Sequence, residues 1–485
     1  MGKFDHYPFK TRPFDHQLKE LEAHADSQAW AWLWDRGCGK SKLVIDNFCY
    51  LYLEKKIDTV VYISRAGDYA NFYYDQLPSH LPDGLKTDIL LYSGAKAKTK
   101  AFQAQVTRFM NPDSSRLRIL VINLEALITD NAAIILQKLY RSSKAVFLAL
   151  DESTCVKNIS SKRAKEVYHY AAKSHYRRIM TGSPVTQSPL DLWGQSLVLR
   201  KGILGHNSFF SFRGDYAVMD TQYFGPRPVK TVTGYKNLDR LGLLLKTFSS
   251  QLTKEECLDL PPKIYTKLYV ELTPEQEKLY SRLRDEAMLE LEGQEVEVTS
   301  VLTQLVKLHQ VACGQLKIDD ETYKTIPNNR VKALLDTVED YPGKVIIWAT
   351  YRQTLLDVVQ ALTEQYGPSC VAGYYGGVSL ADRTEAIKRF QDPKDPLKFF
   401  VANPQSGGFG LTLTEARLVI YYSNSFSLEN RLQSEDRAHR IGQTEKVTYV
   451  DLVAKDTVDE KIIKVLREKK NVADVVMGQG WKSWL

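Results

Sequence analysis

Residues 36–41 read RGCGKS, and two glycines, a lysine and a hydroxyl in that order are what a loop needs to surround a phosphate. Gly37 and Gly39 let backbone amides, that of Cys38 among them, close around phosphate oxygens; Lys40 brings a charge to the outer phosphates, and Ser41 offers a hydroxyl to magnesium. The fuller pattern G-x-x-x-x-G-K-[ST] starts on glycine, whereas this chain has Trp34 there. Context still favours a phosphate loop. The apolar run AWAWLW (29–34) precedes it and the helix-like KLVIDNFCYLYLEKK (42–56) follows, so a helix N-terminus faces the anion. Trp34 is then expected to end a buried strand as a packing residue.

Such a loop needs a carboxylate at the end of a neighbouring buried strand for magnesium, and a second to orient the attacking water. AVFLALDES (145–153) supplies Asp151 and Glu152; the plainer alternative is a strand end with two solvated acids. Charge developing on a transferred phosphoryl group is best met by arginine. QSEDRAHRIGQ (433–443) places Arg437 and Arg440 three residues apart, so both guanidinium groups can leave one helical face together; a solvated charged helix is the alternative.

Short apolar runs must position these groups. AWAWLW, TVVYIS (59–64), RILVIN (118–123), AVFLAL (145–150) and RRIMTG (177–182) alternate with amphipathic stretches, as buried parallel strands do in an α/β domain. KVIIWAT (344–350), LKFFVAN (397–403), LVIYYS (418–423) and VTYVDLVA (447–454) form a second series. Between them the text reads as helical, with Thr273 and Gln276 forming a capping box and Pro274 at the first helical position. The expected division is 1–250, a helical 251–329, and 330–485.

The chain of 485 residues, 44% hydrophobic and 25% charged, has the composition of a globular protein of two or three domains. A net charge of +7 permits an anionic partner without demanding one. Six cysteines at scattered positions offer neither zinc spacing nor a disulfide framework. The N-terminal text lacks a signal-peptide core and no run approaches 18 apolar residues, so an intracellular, cytoplasmic location without membrane contact is expected.

DRAHRIGQ resembles motif VI of the SNF2 family of superfamily 2 helicase-like ATPases, and the rest of the chain agrees in order and spacing. FDHQLKEL is similar to its adenine-reading motif, RGCGKS to motif I, VVYISRAG to Ia, VINLEAL to Ib, DESTCVKNISSKRAK to motif II and its flank, and MTGSPVTQSPLDLWG to motif III. LDLPPKIYTKLYVELTPEQEKLY and LVKLHQVACG resemble the segment between lobes, KVIIWATYRQTL motif IV, SGGFGLTLTEA motif V, and TVDEKIIKVLREKK the closing helix.

The resemblance implies two RecA-like lobes, parallel sheets flanked by helices, with a helical segment between them. Gly37, Cys38, Gly39, Lys40 and Ser41 would cradle ATP, Gln17 would read adenine, Ser41 and Asp151 would hold Mg2+, and Glu152 would serve the water. Arg437 and Arg440 would reach across from lobe two, with Gln433 beside the γ-phosphate. Thr181 and Ser183 would couple nucleotide state to the lobe interface. Duplex DNA, with branched or single-stranded DNA as further possibilities, would be contacted by Arg65, Asn123, Lys157, Lys162, Ser406, Gly407 and Thr412. The basic AKAKTK (95–100) is expected to be a solvated loop.

Four departures stand out. Thr154 occupies the family's motif II histidine, YYGG (374–377) its LDGS, Thr412 its motif V asparagine, and SSQLTKEECLD its basic run before LPPK. The expected activity is DNA-dependent ATP hydrolysis driving translocation on duplex DNA, in a minimal single-motor member of bacterial or viral type. A strand-separating helicase and a catalytically silent scaffold are the alternatives.

Overall fold

The computed structural model describes residues 2–65, 68–111, 115–182, 184–185, 188–224, 227–257, 261–291, 298–317, 323–407, 411–440, 442–468 and 484. The chain divides into two compact units, Met1–Leu258 and Asp259–Leu485.

The first unit is built on seven parallel strands: β1 Ala29–Trp34, β2 Thr59–Ser64, β3 Thr87–Leu91, β4 Leu117–Asn123, β5 Val146–Asp151, β6 Tyr176–Met180 and, after a hairpin of β7 Ala217–Phe224 with β8 Arg227–Tyr235, β9 Ser249–Leu252. Their order is β3-β4-β2-β5-β6-β1-β9, and every ladder is parallel. The central runs are largely apolar because those strands feed two cores. Ala31 and Leu33 of β1 join one side with Val61, Ile63, Leu148 and Leu150, while Trp30, Trp32 and Trp34 join the other with Val60, Tyr62 and Phe147. A sheet covered on both faces leaves only its strand ends open to solvent, and in a parallel sheet the C-terminal ends share one edge.

Two helices complete what the site needs: α1 Asp15–His24, and α2 Lys40–Leu53, buried along Lys42–Leu51. AKAKTK, expected as a loop, forms a short turn over Gly94–Lys96 and the start of a helix over Lys100–Met110. Its three lysines are exposed, and Thr99 Oγ1 caps the helix by accepting from the Phe102 amide at 3.3 Å.

The second unit has a six-stranded sheet in the order β10-β17-β16-β13-β15-β14, again wholly parallel. Its strands are β10 Lys263–Val270, β13 Lys344–Trp348, β14 Val371–Tyr374, β15 Phe399–Ala402, β16 Ala416–Tyr421 and β17 Val447–Ala454, with β11 Gln315–Lys317 and β12 Tyr323–Thr325 pairing separately. Two parallel sheets flanked by helices are the RecA-like arrangement that the sequence implies. Residues 251–329 differ from the helical expectation. β9 extends the first sheet beside β1, and β10 extends the second beside β17, before the helices Pro274–Leu291 and Val298–Ala312 begin. Both strands lie at sheet edges, and β10 is exposed along most of its length, so neither carries the continuous apolar text of a central strand. The capping box forms as expected: Thr273 N donates to Gln276 Oε1 at 3.1 Å, and Gln276 N donates to Thr273 Oγ1 at 3.3 Å. Among the described residues, no helix is long and apolar enough to cross a membrane.

One buried polar node ties the second unit together. Arg330 donates to the carbonyls of Ala312 (2.9 Å), Tyr422 (2.6 Å) and Leu452 (3.0 Å) and pairs with Asp459. His309 Nε2 lies 2.9 Å from the other Asp459 oxygen, and its Nδ1 lies 2.7 Å from the Tyr351 hydroxyl. These links join the helix Val298–Ala312 to the closing helix Val458–Arg467 and to the end of β17. Removing one partner of a buried pair strands the other charge, at about 3–5 kcal/mol. Asp459→Ala is therefore expected to destabilise the second unit by that amount, read as lost hydrogen-exchange protection in both helices.

Candidate functional site

The loop after β1 is closed by its own lysine. The Lys40 ammonium turns back and donates to the carbonyls of Trp34 (2.8 Å) and Asp35 (3.0 Å). Trp34 is thus the packing residue expected, 2% exposed, and its carbonyl also orders the loop. Gly37 and Gly39 have φ of 86° and 82°, the left-handed backbone that glycine adopts without strain. At Gly39 space is also lacking: a methyl there would lie 2.2 Å from Gln17 Nε2.

Gln17 joins α1 to this loop. Its Nε2 donates to the Gly39 carbonyl at 3.0 Å, its Oε1 accepts from the Phe14 amide at 2.9 Å, and His16 Nε2 lies 3.1 Å from the Cys38 carbonyl. The helix carrying Gln17 is fixed in turn by Glu20, whose Oε1 accepts from the indole N–H groups of Trp30 (2.7 Å) and Trp32 (2.9 Å) and from Ser250 Oγ (2.8 Å). Ser250 Oγ accepts from Trp34 Nε1 at 2.9 Å. One carboxylate therefore ties α1 to alternate residues of β1, directly or through Ser250.

Asp151 ends β5 and Glu152 follows it in left-handed backbone, φ 50°, which turns its side chain out of the strand direction. Tyr62 donates to Asp151 Oδ2 at 2.7 Å, and the Glu152 amide donates to Asp151 Oδ1 at 3.0 Å. Glu152 is held at both oxygens: Arg36 Nε lies 3.3 Å from Oε1, and Thr181 Oγ1 donates to Oε2 at 3.2 Å. Arg65 Nη2 donates to Thr154 Oγ1 at 3.4 Å, so the threonine replacing the family histidine is in contact with motif Ia.

The environments push these two acids apart. Burial and then the Glu152 charge raise the Asp151 carboxyl above its ordinary range. Burial acts upward on Glu152 too, but Arg36, Lys40 and Arg65 outweigh it and bring Glu152 below the ordinary range. Burial lowers the Lys40 ammonium, against the pull of Glu152 and Asp151. The half-buried Asp151 carboxyl, with a serine hydroxyl in the first turn of α2, offers hard oxygen donors that suit a divalent cation, and glycine-rich backbone beside the half-buried Lys40 suits phosphate. Among the described residues no group of three or more His, Cys, Asp or Glu could hold a metal ion.

The structure brings together, within the first unit, Gln17, the loop 37–41, Asp151, Glu152 and Thr181. Asn123 ends β4 opposite Ser64, so Arg65 and Asn123 stand on the same sheet edge as Asp151. Asn123 Nδ2 donates to Glu125 Oε2 at 3.3 Å; Lys157 is half-buried and Lys162 exposed. Ser183 lies outside the described residues, and Ser406 and Gly407 close the short helix Pro404–Gly407.

In the second unit the arginines meet by a route other than one helical face. The helix Leu428–Ala438 ends before Arg440, with His439 as its C-cap. Arg437 Nη1 (3.3 Å) and Arg440 Nη1 (2.9 Å) both donate to the Leu411 carbonyl, next to Thr412, and the Leu413 amide donates back to the Arg437 carbonyl at 3.0 Å. Gln433 is buried; its Nε2 donates to Glu429 Oε1 at 2.9 Å. Sequence reasoning missed Arg36 and Tyr62 as partners of the acid pair and Glu20 as the anchor of α1. Of these only Arg36 carried a signal, as a charge inside a phosphate loop.

A glycine-rich loop, an acid pair and a strand-end threonine on one edge of a parallel sheet define a P-loop fold of the helicase-like ATPase class. The model of the SNF2-related domain matches residues 74–316, and that of the helicase conserved C-terminal domain matches residues 329–442. The chain belongs to the SNF2-related family. It is 26% identical over 334 residues to an uncharacterized ATP-dependent helicase of Mycoplasma genitalium, covering 67% of this chain and 30% of that protein. It is also 26% identical over 384 residues to the TATA-binding protein-associated factor MOT1 of Saccharomyces cerevisiae, covering 69% and 20%. The chain spans about a third or less of the length of these curated relatives. A Sulfolobus solfataricus SWI2/SNF2 ATPase core in complex with dsDNA aligns at 21% identity with a TM-score of 0.43, covering 100% of this chain and 96% of that one.

Gly39→Ala combines strained backbone with the clash against Gln17. It is expected to weaken binding of a fluorescent ATP analogue about tenfold, roughly 1.4 kcal/mol.

Proposed function

We propose that the chain is a Mg2+-dependent ATPase stimulated by DNA, which translocates on duplex DNA and so remodels it or displaces bound proteins. The observation that carries this reading is the convergence of the Lys40 loop, Asp151, Glu152 and Thr181 on the sheet edge that also presents Arg65 and Asn123.

In this reading the amides of Gly37, Cys38 and Gly39 and the Lys40 ammonium bind the phosphates of ATP, and Gln17 reads the base. Lys40 exchanges its two loop carbonyls for phosphate oxygens. Ser41 and Asp151 hold Mg2+, which supplies neutralising charge to the phosphates when bound. Glu152 orients the attacking water and accepts its proton, and Arg437 and Arg440 supply cationic charge for the phosphoryl group, with Gln433 beside it. Thr181, hydrogen-bonded to Glu152, and Ser183 relay nucleotide state. Arg65, Asn123, Lys157, Lys162, Ser406, Gly407 and Thr412 contact the DNA backbone, which is read through phosphates and so without sequence preference. The Arg65 contact to Thr154 gives DNA a short path to motif II.

ATP hydrolysis measured with no nucleic acid, duplex DNA, single-stranded DNA and RNA tests the reading. Duplex DNA is expected to stimulate, Lys40→Ala to abolish turnover, and Glu152→Gln to cost roughly 10²–10⁴-fold, the range for a lost general base. Stimulation by RNA alone would sink the DNA assignment. Displacement of a triplex-forming strand without duplex unwinding separates translocation from strand separation. Apparent DNA affinity should fall steeply with salt, and Arg65→Ala should reduce the slope of log affinity against log salt by about 1.

A further inference from the structure

We propose that Arg36 is a positioning residue for Glu152, a loop arginine that fixes the plane of the carboxylate serving the attacking water. The proposal rests on the reading of Glu152 as that carboxylate.

Arg36 lies between Trp34 and Lys40 at a position whose identity phosphate-loop chemistry leaves open. Its path is confined. A methyl at Gly182 would come within 3.0 Å of Arg36 Cγ and 3.1 Å of its amide nitrogen, so the arginine stem crosses Gly182 on its way to the end of β5. There its Nε meets Glu152 Oε1 at 3.3 Å, and the two side chains are only 10% and 13% exposed. Thr181, just after β6, donates to the other oxygen, Oε2, at 3.2 Å.

The two grips come from different elements, the loop after β1 and the segment after β6. A carboxylate held at one oxygen still turns about its Cγ–Cδ bond; held at both, it has one plane. Each oxygen keeps a further lone pair, so the bracket sets the direction from which a water is accepted without consuming the acceptor that water needs. A guanidinium suits this task because its planar, permanently charged group holds direction as well as charge, whereas an ammonium at the same place holds charge alone. The left-handed backbone at Glu152 aims the side chain, and Arg36 with Thr181 stops it from swinging.

The full-length chain carries the test, with Arg36→Met and Arg36→Lys made alone and together with Glu152→Gln. Single-turnover and steady-state ATP hydrolysis with saturating duplex DNA are read beside binding of a fluorescent ATP analogue and thermal melting. Arg36→Met is expected to lower kcat about tenfold or more, with KM and analogue affinity within about twofold of wild type, and Arg36→Lys to recover part of the loss. In the Glu152→Gln background the methionine substitution should add nothing, because a residue acting through another is silent once that other is gone. The proposal is overturned by an unchanged kcat, by a raised KM with kcat intact, which makes Arg36 a phosphate ligand, or by an additive loss in the Gln background. Should Arg36→Met lose its melting transition, the lysine variant and its double mutant carry the same comparison. A wild-type rate in Glu152→Gln alone would instead remove the reading of Glu152 itself, a result distinct from any Arg36 outcome.

Discussion

The burial of β1 on both faces is the constraint from which the site follows. Three tryptophans fill one side of the sheet and small or aliphatic residues the other, so the chain can reach solvent only past Trp34, at the edge where β5 and β6 also end. The loop that emerges there holds a half-buried ammonium, which donates to the carbonyls of Trp34 and Asp35 at the end of its own strand. Phosphate loop, acid pair and threonine are neighbours because parallel strands place their C-terminal ends together.

Much of this architecture was legible in the text for the same reason. A strand covered on both sides is apolar along its centre, and AWAWLW, VVYI within TVVYIS and VIIWA within KVIIWAT are; the boundaries in the structure match the runs closely. Edge strands do not obey that rule. β10 is rich in strand-forming residues but is broken by Lys263, Thr266 and Lys267 and has no continuous apolar run, and β9 has only four residues, so a segment read as helical instead extends both sheets.

Contacts between distant residues were illegible. Glu20 meets Ser250 across 230 positions, and no local pattern announces that one carboxylate will anchor α1 to β1. The arginine pair shows a subtler limit. Spacing by three suggested a shared helical face, yet the helix stops at Ala438, and what brings Arg437 and Arg440 together is a single peptide carbonyl from another loop. Motif text pointed to both arginines; the carbonyl that joins them belongs to backbone that carries no motif signal.

That carbonyl has a mechanical meaning. With both guanidinium groups fastened to Leu411, and the Leu413 amide fastened back to Arg437, residues 411–413 and the end of the helix Leu428–Ala438 are stitched at three points around Thr412. Thr412 sits between the two residues, Leu411 and Leu413, that bond to the arginine segment. The loop and the two cations share one hydrogen-bonded frame, so moving either means breaking bonds to the other.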